Sequence, residues 1–462
     1  MEVPWKRTTY RLLITRRNGS EILLLPSGPQ WTLPRIEVRP GCRLAEELTS
    51  EVSRSWGIDT YCLFVPDTGS EGPNAPEDRA ILESTQSNER PPVGTHWMAR
   101  TIAATRCDPQ DSRAVVESLA ELDAYASGER AGPFAKPGWL RNLFGWTQEQ
   151  IGPLGLRVTG SFRQLNASPK FALLRLDAGQ RAVWFKATGE PNAHELPITI
   201  ELARLFPQYV PPVLGVHQDW NGWLSAEAEG LSLDKISDFS VWERIAEELA
   251  EFQVASIGKH LDLLEASCKD LRIPVLAQRI DPFVARMTEL MAVQEKPAPP
   301  PLAPSEMAIL GEELKDACAL LQGCGLPDTV GHVDFNPGNI LVTKDRCTFL
   351  DWAEGSVASP LLTFEYLREH TARNGIAQAA AGDRLLSAYL RPWKPLYALA
   401  DLRRAAVLSP LIAAFAYGVV NDSWRSIDPN SNPRLAGFYR SLARRMYREA
   451  IEVAQRSESC LR

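Results

Sequence analysis

The chain has 462 residues, 44% hydrophobic and 23% charged, with a formal net charge of −7. That length exceeds one ordinary core, and two or three globular domains are expected. An acidic balance excludes the basic footprint of a nucleic-acid binder, and the eight cysteines contain no CxxC pair, which argues against a zinc site.

In chain order, strand-like runs at 11–14, 22–25 and 61–65 surround a helical stretch near 43–56. Residues 66–93 are rich in Pro, Gly, Ser, Asn and Glu and read as a long mobile loop. A strand over 96–100 and a helix over 112–125 follow, and SGERAGPFAKPG at 127–138 reads as an interdomain linker. The expected first domain is therefore 1–126.

Strands are then predicted at 171–176, 182–186 and 223–227, with a helix over 195–206 between the last two. From 240 the chain turns mostly helical, at 240–257, 259–270, 274–294, 305–323 and several times beyond 362. The proline-rich KPAPPPLAP at 296–304 is an extended connector, because missing backbone donors forbid a helix. The most apolar window, 405–420, contains Ser409 and Pro410 and is short for a membrane span, so a buried helix is expected. The N-terminus has no apolar core of signal-peptide length, and a reduced, cytoplasmic protein with no membrane partner is the expectation.

The segment GHVDFNPGNILVTKDRCTFLDW at 331–352 concentrates the chemistry. Asp334 stands five residues before Asn339, and Asp351 closes a second apolar run. Phosphoryl transfer needs one carboxylate to orient the attacking hydroxyl, and an amide oxygen with a second carboxylate for magnesium. Upstream, Lys186 ends the apolar run AVWFK and Glu195 opens a helix, the types and order in which a kinase pairs its phosphate-binding lysine with a glutamate. Glu201, two turns later, is the rival partner.

From about 150 to 440 the chain resembles the aminoglycoside phosphotransferase family, the small-molecule branch of the protein-kinase-like fold, whose motif is His-Gly-Asp-x4-Asn followed by Leu/Ile-Asp-Trp. The resemblance implies an α+β, bilobal domain with an N-lobe at 139–230 and a helical C-lobe at 231–462. It implies Asp334 as catalytic base, Asn339 and Asp351 as magnesium ligands, and Lys186 and Glu195 at the phosphates of ATP. The loop 161–168, with Ser168, would cover those phosphates or be a plain turn, and backbone groups at 226–228 around Glu227 would meet adenine. His332 would hold the loop as a core histidine; Glu354 receives no role. Val333 departs from the family's Gly, at a cost if that position needs positive φ. Glu365, Glu369 and Asp422 are candidates for a cationic acceptor; the acceptor itself and the oligomeric state stay open.

The N-terminal segment resembles a Nudix hydrolase, an α/β/α fold, through WTLPRIEVRPGC at 31–42 and EVSRSWGI at 51–58. Cys42, Arg54 and Ser55 occupy places of that family's metal-binding glutamates, and only Glu51 remains, so a domain without hydrolase activity is implied. The function expected is magnesium- and ATP-dependent phosphorylation of a hydroxyl on a small molecule such as an aminoglycoside, sugar or amino alcohol. The alternatives are a regulatory nucleotide-binding pseudokinase and an active Nudix-type hydrolase.

Overall fold

The computed structural model describes residues 7–66, 78–86, 90–373 and 381–460. The chain divides into two compact units, one of Met1–Leu196 with Pro212–Glu227 and one of Pro197–Pro211 with Ala228–Arg462.

The first unit opens with a mixed sheet of seven strands: β1 (Thr8–Arg16), β2 (Glu21–Ser27), β3 (Gln30–Thr32), β4 (Arg35–Val38), β5 (Thr60–Phe64), β6 (Asp78–Ser84) and β7 (His96–Ala99). The order is β3-β2-β1-β6-β5, with β4 added to β1 and β7 to β2. Side chains alternate across a strand, so Leu12 and Ile14 of β1 pack with Leu48 and Val52 of helix α1 (Leu44–Trp56). Leu13 points the other way, into a core shared with Val115 and Leu122 of α3 (Pro109–Ser127), which follows the short α2 (Arg100–Arg106). The result is an α/β/α sandwich.

Strand β6 corrects the loop expected over 66–93. Its DRAILES sequence pairs in parallel with β1 and antiparallel with β5, and both faces of a central strand are covered, which erases the alternation that marks a strand in sequence. Residues 67–77 and 87–89 of that expected loop lie outside the described residues.

The segment 127–138 is not an open linker. Phe134 and Ala135 are buried, the Gly138 N–H donates to Glu83 Oε2 at 2.6 Å, and the next residue starts helix α4 (Trp139–Ile151), which the sequence pattern did not reveal. Beyond α4 lies a second antiparallel sheet in the order β11-β12-β10-β9-β8. Its strands are β8 (Phe162–Ala167), β9 (Ala172–Ala178), β10 (Arg181–Ala187), β11 (Val213–His217) and β12 (Gly222–Ala226), with α5 (Glu195–Leu205) between β10 and β11. Phe134, Trp139 and Leu143 share one core with Leu13 of the first sheet and with Leu174 and Phe185 of the second. A buried amide locks the two sheets together. Gln164 of β8 donates through Nε2 to the Cys62 carbonyl at 2.9 Å and accepts from the Cys62 N–H at 2.7 Å.

The second unit contains β13 (Leu231–Ser232), α6 (Phe239–Ala255), α7 (His260–Glu265), β14 (Lys269–Leu271), α8 (Ile273–Ala292), α9 (Pro304–Gly323), β15 (Thr329–His332), β16 (Ile340–Val342), β17 (Cys347–Phe349) and β18 (Gly355–Ala358). Helices α10 (Pro360–Arg373), α11 (Ala381–Tyr389), α12 (Leu399–Val419) and α13 (Pro433–Cys460) complete it. The helix expected over 259–270 stops at Glu265, and β14 then pairs with β18. Helix α12 is long and apolar enough to cross a membrane, but 72% of its apolar window is buried within the protein, among α9, α10 and α13. Large side chains such as Trp242, Phe252, Phe349 and Phe415 fill the core on which the loop after β15 rests.

Candidate functional site

The loop 332–351 is built by turn chemistry on a buried hairpin. The Asn336 side chain accepts from the Gly338 N–H at 2.9 Å, and Pro337 supplies a fixed φ to the 3-10 turn Pro337–Asn339. The chain then enters β16, whose Ile340 pairs with Phe349 of β17. Both side chains are buried. One step outward the Leu350 N–H donates to the Asn339 carbonyl at 2.9 Å. Asn339 and Asp351 therefore flank the same end of one hairpin, and register alone fixes them as neighbours.

Asp351 sits at φ 63° and ψ 68°, a left-handed conformation uncommon for a residue with a Cβ. A buried histidine holds it there. His332 Nε2–H donates to the Asp351 carbonyl at 2.6 Å, and the His332 N–H donates to Thr363 Oγ1 at 2.9 Å. Burial, the largest influence, pushes the imidazole pKa down, so the ring is neutral and its donor is committed to the loop. Gly331, just before it, is required by space, because a Cβ would lie 2.9 Å from Ser356 Oγ.

Val333 does not adopt positive φ. Its N–H donates to the Glu354 carbonyl at 3.1 Å, and its side chain joins the core. The departure from the family's Gly thus carries no backbone strain here. Glu354, unassigned from sequence, also pairs through its carboxylate with Lys269 at 2.9 Å. The carboxylate of Asp334 is exposed and makes no hydrogen bond or ion pair among the described residues.

In the first unit, strand pairing sets Lys186 opposite Leu173 on β9 and Trp223 on β12. Phe185 faces the shared core, so Lys186 faces the other side of the sheet. There its ammonium pairs with Glu195 at the start of α5, a carboxylate almost wholly buried. Glu201 bonds instead to Arg204 of its own helix, so Glu195 is the lysine's partner.

Three expectations drawn from the sequence change in this region. The loop placed at 161–168 is mostly strand β8, and Ser168 begins the tight β8–β9 turn, its N–H donating to the Phe171 carbonyl at 3.0 Å. Glu227 offers adenine no backbone donor, since its N–H is held by the Ala182 carbonyl at 3.3 Å. Its carboxylate is bound by Arg175 at 2.5 Å, which lowers its pKa. Glu365, Glu369 and Asp422 are no open cation trap: Glu365 is 2% exposed and paired with Arg368. Glu369 is held by Arg373 and Arg445, and Asp422 by Arg425. These pairings join distant helices or follow helical turns that the sequence does not rank above solvation.

Two cavities stand out among the described residues. One, of about 400 Å³, opens beside Asp334 between α10, α12 and α13. The other, of about 230 Å³, lies in the first sheet around Arg16, Trp56 and Trp97 and has no acidic lining, so the carboxylate chemistry belongs to the first. Among the described residues no three His, Cys, Asp or Glu cluster to hold a metal. Asn339 and Asp351 offer the sparse, hard-oxygen set that suits magnesium, an ion that takes its remaining ligands from phosphates and water. In the N-terminal sandwich Glu51 is tied to Arg54 and accepts from Ser55 Oγ at 3.2 Å, so its carboxylate is occupied by neighbours on its own helix.

No protein-family model and no curated protein matches the chain. Among solved structures it is similar to an ethanolamine kinase of Plasmodium vivax, at 13% identity over 64% of this chain and 85% of that one, TM-score 0.44. It is similar to a choline kinase of Cryptosporidium parvum, at 12% identity over 69% and 96%, TM-score 0.46. It is also similar to a spectinomycin phosphotransferase solved with ADP and spectinomycin, at 11% identity over 67% and 98%, TM-score 0.40. Likeness at this level carries no functional argument, which rests on the residues.

Proposed function

We propose that the chain is an ATP- and magnesium-dependent phosphotransferase that moves the γ-phosphoryl group onto a hydroxyl of a small molecule. The observation that carries this reading is the hairpin that sets Asn339 and Asp351 at the same end, with the unpaired Asp334 carboxylate on the same loop. Asp334 orients the acceptor hydroxyl and takes its proton as the oxygen bonds to the γ-phosphorus and the bond to ADP breaks. Asn339 and Asp351 would hold magnesium, which when bound neutralises charge on the phosphate oxygens. Lys186, oriented by Glu195, supplies a fixed cation to the phosphates, and the turn at Ser168 covers them.

For residues 1–126 the reading is a Nudix-like sandwich that supports the second sheet. The shared core and the Gln164–Cys62 bonds support that role, and the engaged Glu51 speaks against hydrolysis. The pseudokinase alternative leans on Val333 and on the missing Gly-rich loop, and the ordinary backbone at Val333 removes the first of these.

The test is binding and turnover together. Magnesium with ATP raises the melting temperature of the wild type, and Asp351→Ala removes the magnesium-dependent part of the shift. Absence of any shift at millimolar nucleotide sinks the reading.

A further inference from the structure

The cavity beside Asp334 has an unexpected charge. Besides that carboxylate, its charged lining is Glu369 and the arginines Arg373, Arg445 and Arg448. Glu369 is already chelated, by Arg373 at 2.9 Å and by Arg445 across the cavity. Arg448, one turn further along α13, makes no ion pair among the described residues. Three guanidiniums thus face two carboxylates, with one carboxylate spent on two of them. His370, on the same wall, adds no compensating negative charge, and burial with Arg373 nearby keeps it neutral.

Part of the lining is aromatic. Tyr417 and Phe438 stand 6.2 Å apart at a steep angle, and both are more than two-fifths exposed. Aromatic faces beside a carboxylate would suit an ammonium group, but an unpaired guanidinium in the same cavity repels one. A planar fork with open donors instead matches a carboxylate or a phosphate.

We propose that the acceptor is a hydroxylated anion, a hydroxy acid or a phosphorylated alcohol, with its anionic group on Arg448 and Arg445 and its carbon frame on Tyr417 and Phe438. This rests on the phosphotransferase reading for the hydroxyl at Asp334, while the anion site stands on the cavity alone. A cationic acceptor, for which Glu365, Glu369 and Asp422 are the candidates in the sequence, has no open carboxylate among those three.

The test separates the two. Binding is measured calorimetrically without ATP, using glycerol 3-phosphate, glucose 1-phosphate and glycerate against choline, ethanolamine and spectinomycin. Turnover is measured as ADP formed with each compound. At least one anion is expected to bind, and Arg448→Glu to weaken it by about tenfold or more, whereas Asp334→Asn leaves anion binding in place. The phosphate esters and glycerate tell which anionic group the site takes. In turnover, Arg448→Gln raises KM for the anionic acceptor more than it lowers kcat. Anion binding lost in Arg448→Glu, with no turnover of any compound, keeps the anion site and overturns the phosphotransferase reading. Binding of the cationic compounds alone, anion binding indifferent to Arg448→Glu, or no binding of either class at millimolar concentration overturns the anion site.

Discussion

His332 Nε2 lies 2.6 Å from the main-chain oxygen of Asp351. That single bond ties the strand leading into the loop to the left-handed residue that ends it. The strain at Asp351, of order 1 kcal/mol, is maintained by a buried donor that has no other task.

Replacing either residue should separate stability from function. His332→Ala empties a buried position and orphans the Asp351 carbonyl, with an expected loss of about 2–4 kcal/mol. Asp351→Gly relaxes the left-handed conformation and should unfold within about 1 kcal/mol of the wild type, yet abolish turnover. Calorimetric melting of the two variants, with ADP release measured alongside, checks both outcomes. An Asp351→Gly protein as unstable as His332→Ala contradicts the strain argument.

Glu195 and Glu201 lie on one helix and differ in partner. Glu195→Gln leaves Lys186 without its buried counterion, and kcat/KM for ATP should fall by about a hundredfold or more. Glu201→Gln loses only a pairing with the exposed Arg204 and should stay within about twofold. Equal effects in steady-state kinetics with ATP varied would place the functional carboxylate elsewhere.

Gln164→Leu keeps the volume but strips both bonds from Cys62, leaving a buried N–H and C=O unpaired. The expected cost is about 2–4 kcal/mol, read from urea unfolding. A chain begun at residue 139 loses Phe134 and the first sheet from the shared core and should fail to give a cooperative unfolding transition. A stable, monodisperse fragment from 139 onward would show the second sheet to be self-sufficient.

Glu365 gives a pH dependence. Burial lifts its carboxyl to about 7, from an ordinary 4.5, against the pull of Arg368. The folded state holds the proton more tightly than the unfolded chain does. Stability from this group is therefore full below about pH 4.5 and lost as pH rises through about 7. Relative to Glu365→Gln, the wild type should lose on the order of 3 kcal/mol between about pH 4 and pH 8. Denaturation midpoints of both proteins across that range measure it, and an opposite slope rejects the assignment.

Local sequence carried much of the layout. The apolar run ending in Lys186, the helix opening at Glu195 and the Asn-Pro-Gly turn before Asn339 each have a nearest-neighbour cause, and each element lies where those causes put it. What escaped is tertiary. Strand β6 lies in a polar, proline-rich stretch and is buried on both faces. Phe134 and Ala135 looked like linker because their packing partners are far along the chain. The fate of Glu369 depends on Arg445, 76 residues away. The same distance hid the arginine-rich cavity, although Arg445 and Arg448 at helical spacing were its one visible local sign. The backbone at Val333 is set by the Glu354 carbonyl and a core neighbourhood, neither of which the motif displays.

Phosphoryl transfer from this loop is decided by ADP formation that depends on an added hydroxyl compound, compared between the wild type and Asp334→Asn. Acceptor-dependent ADP with a phosphorylated product is expected for the wild type, and a loss of about a thousandfold in kcat for the variant, with ATP binding retained. Equal rates in the two proteins, or ATP bound without any acceptor-dependent ADP across anionic, neutral and cationic alcohols, would contradict it.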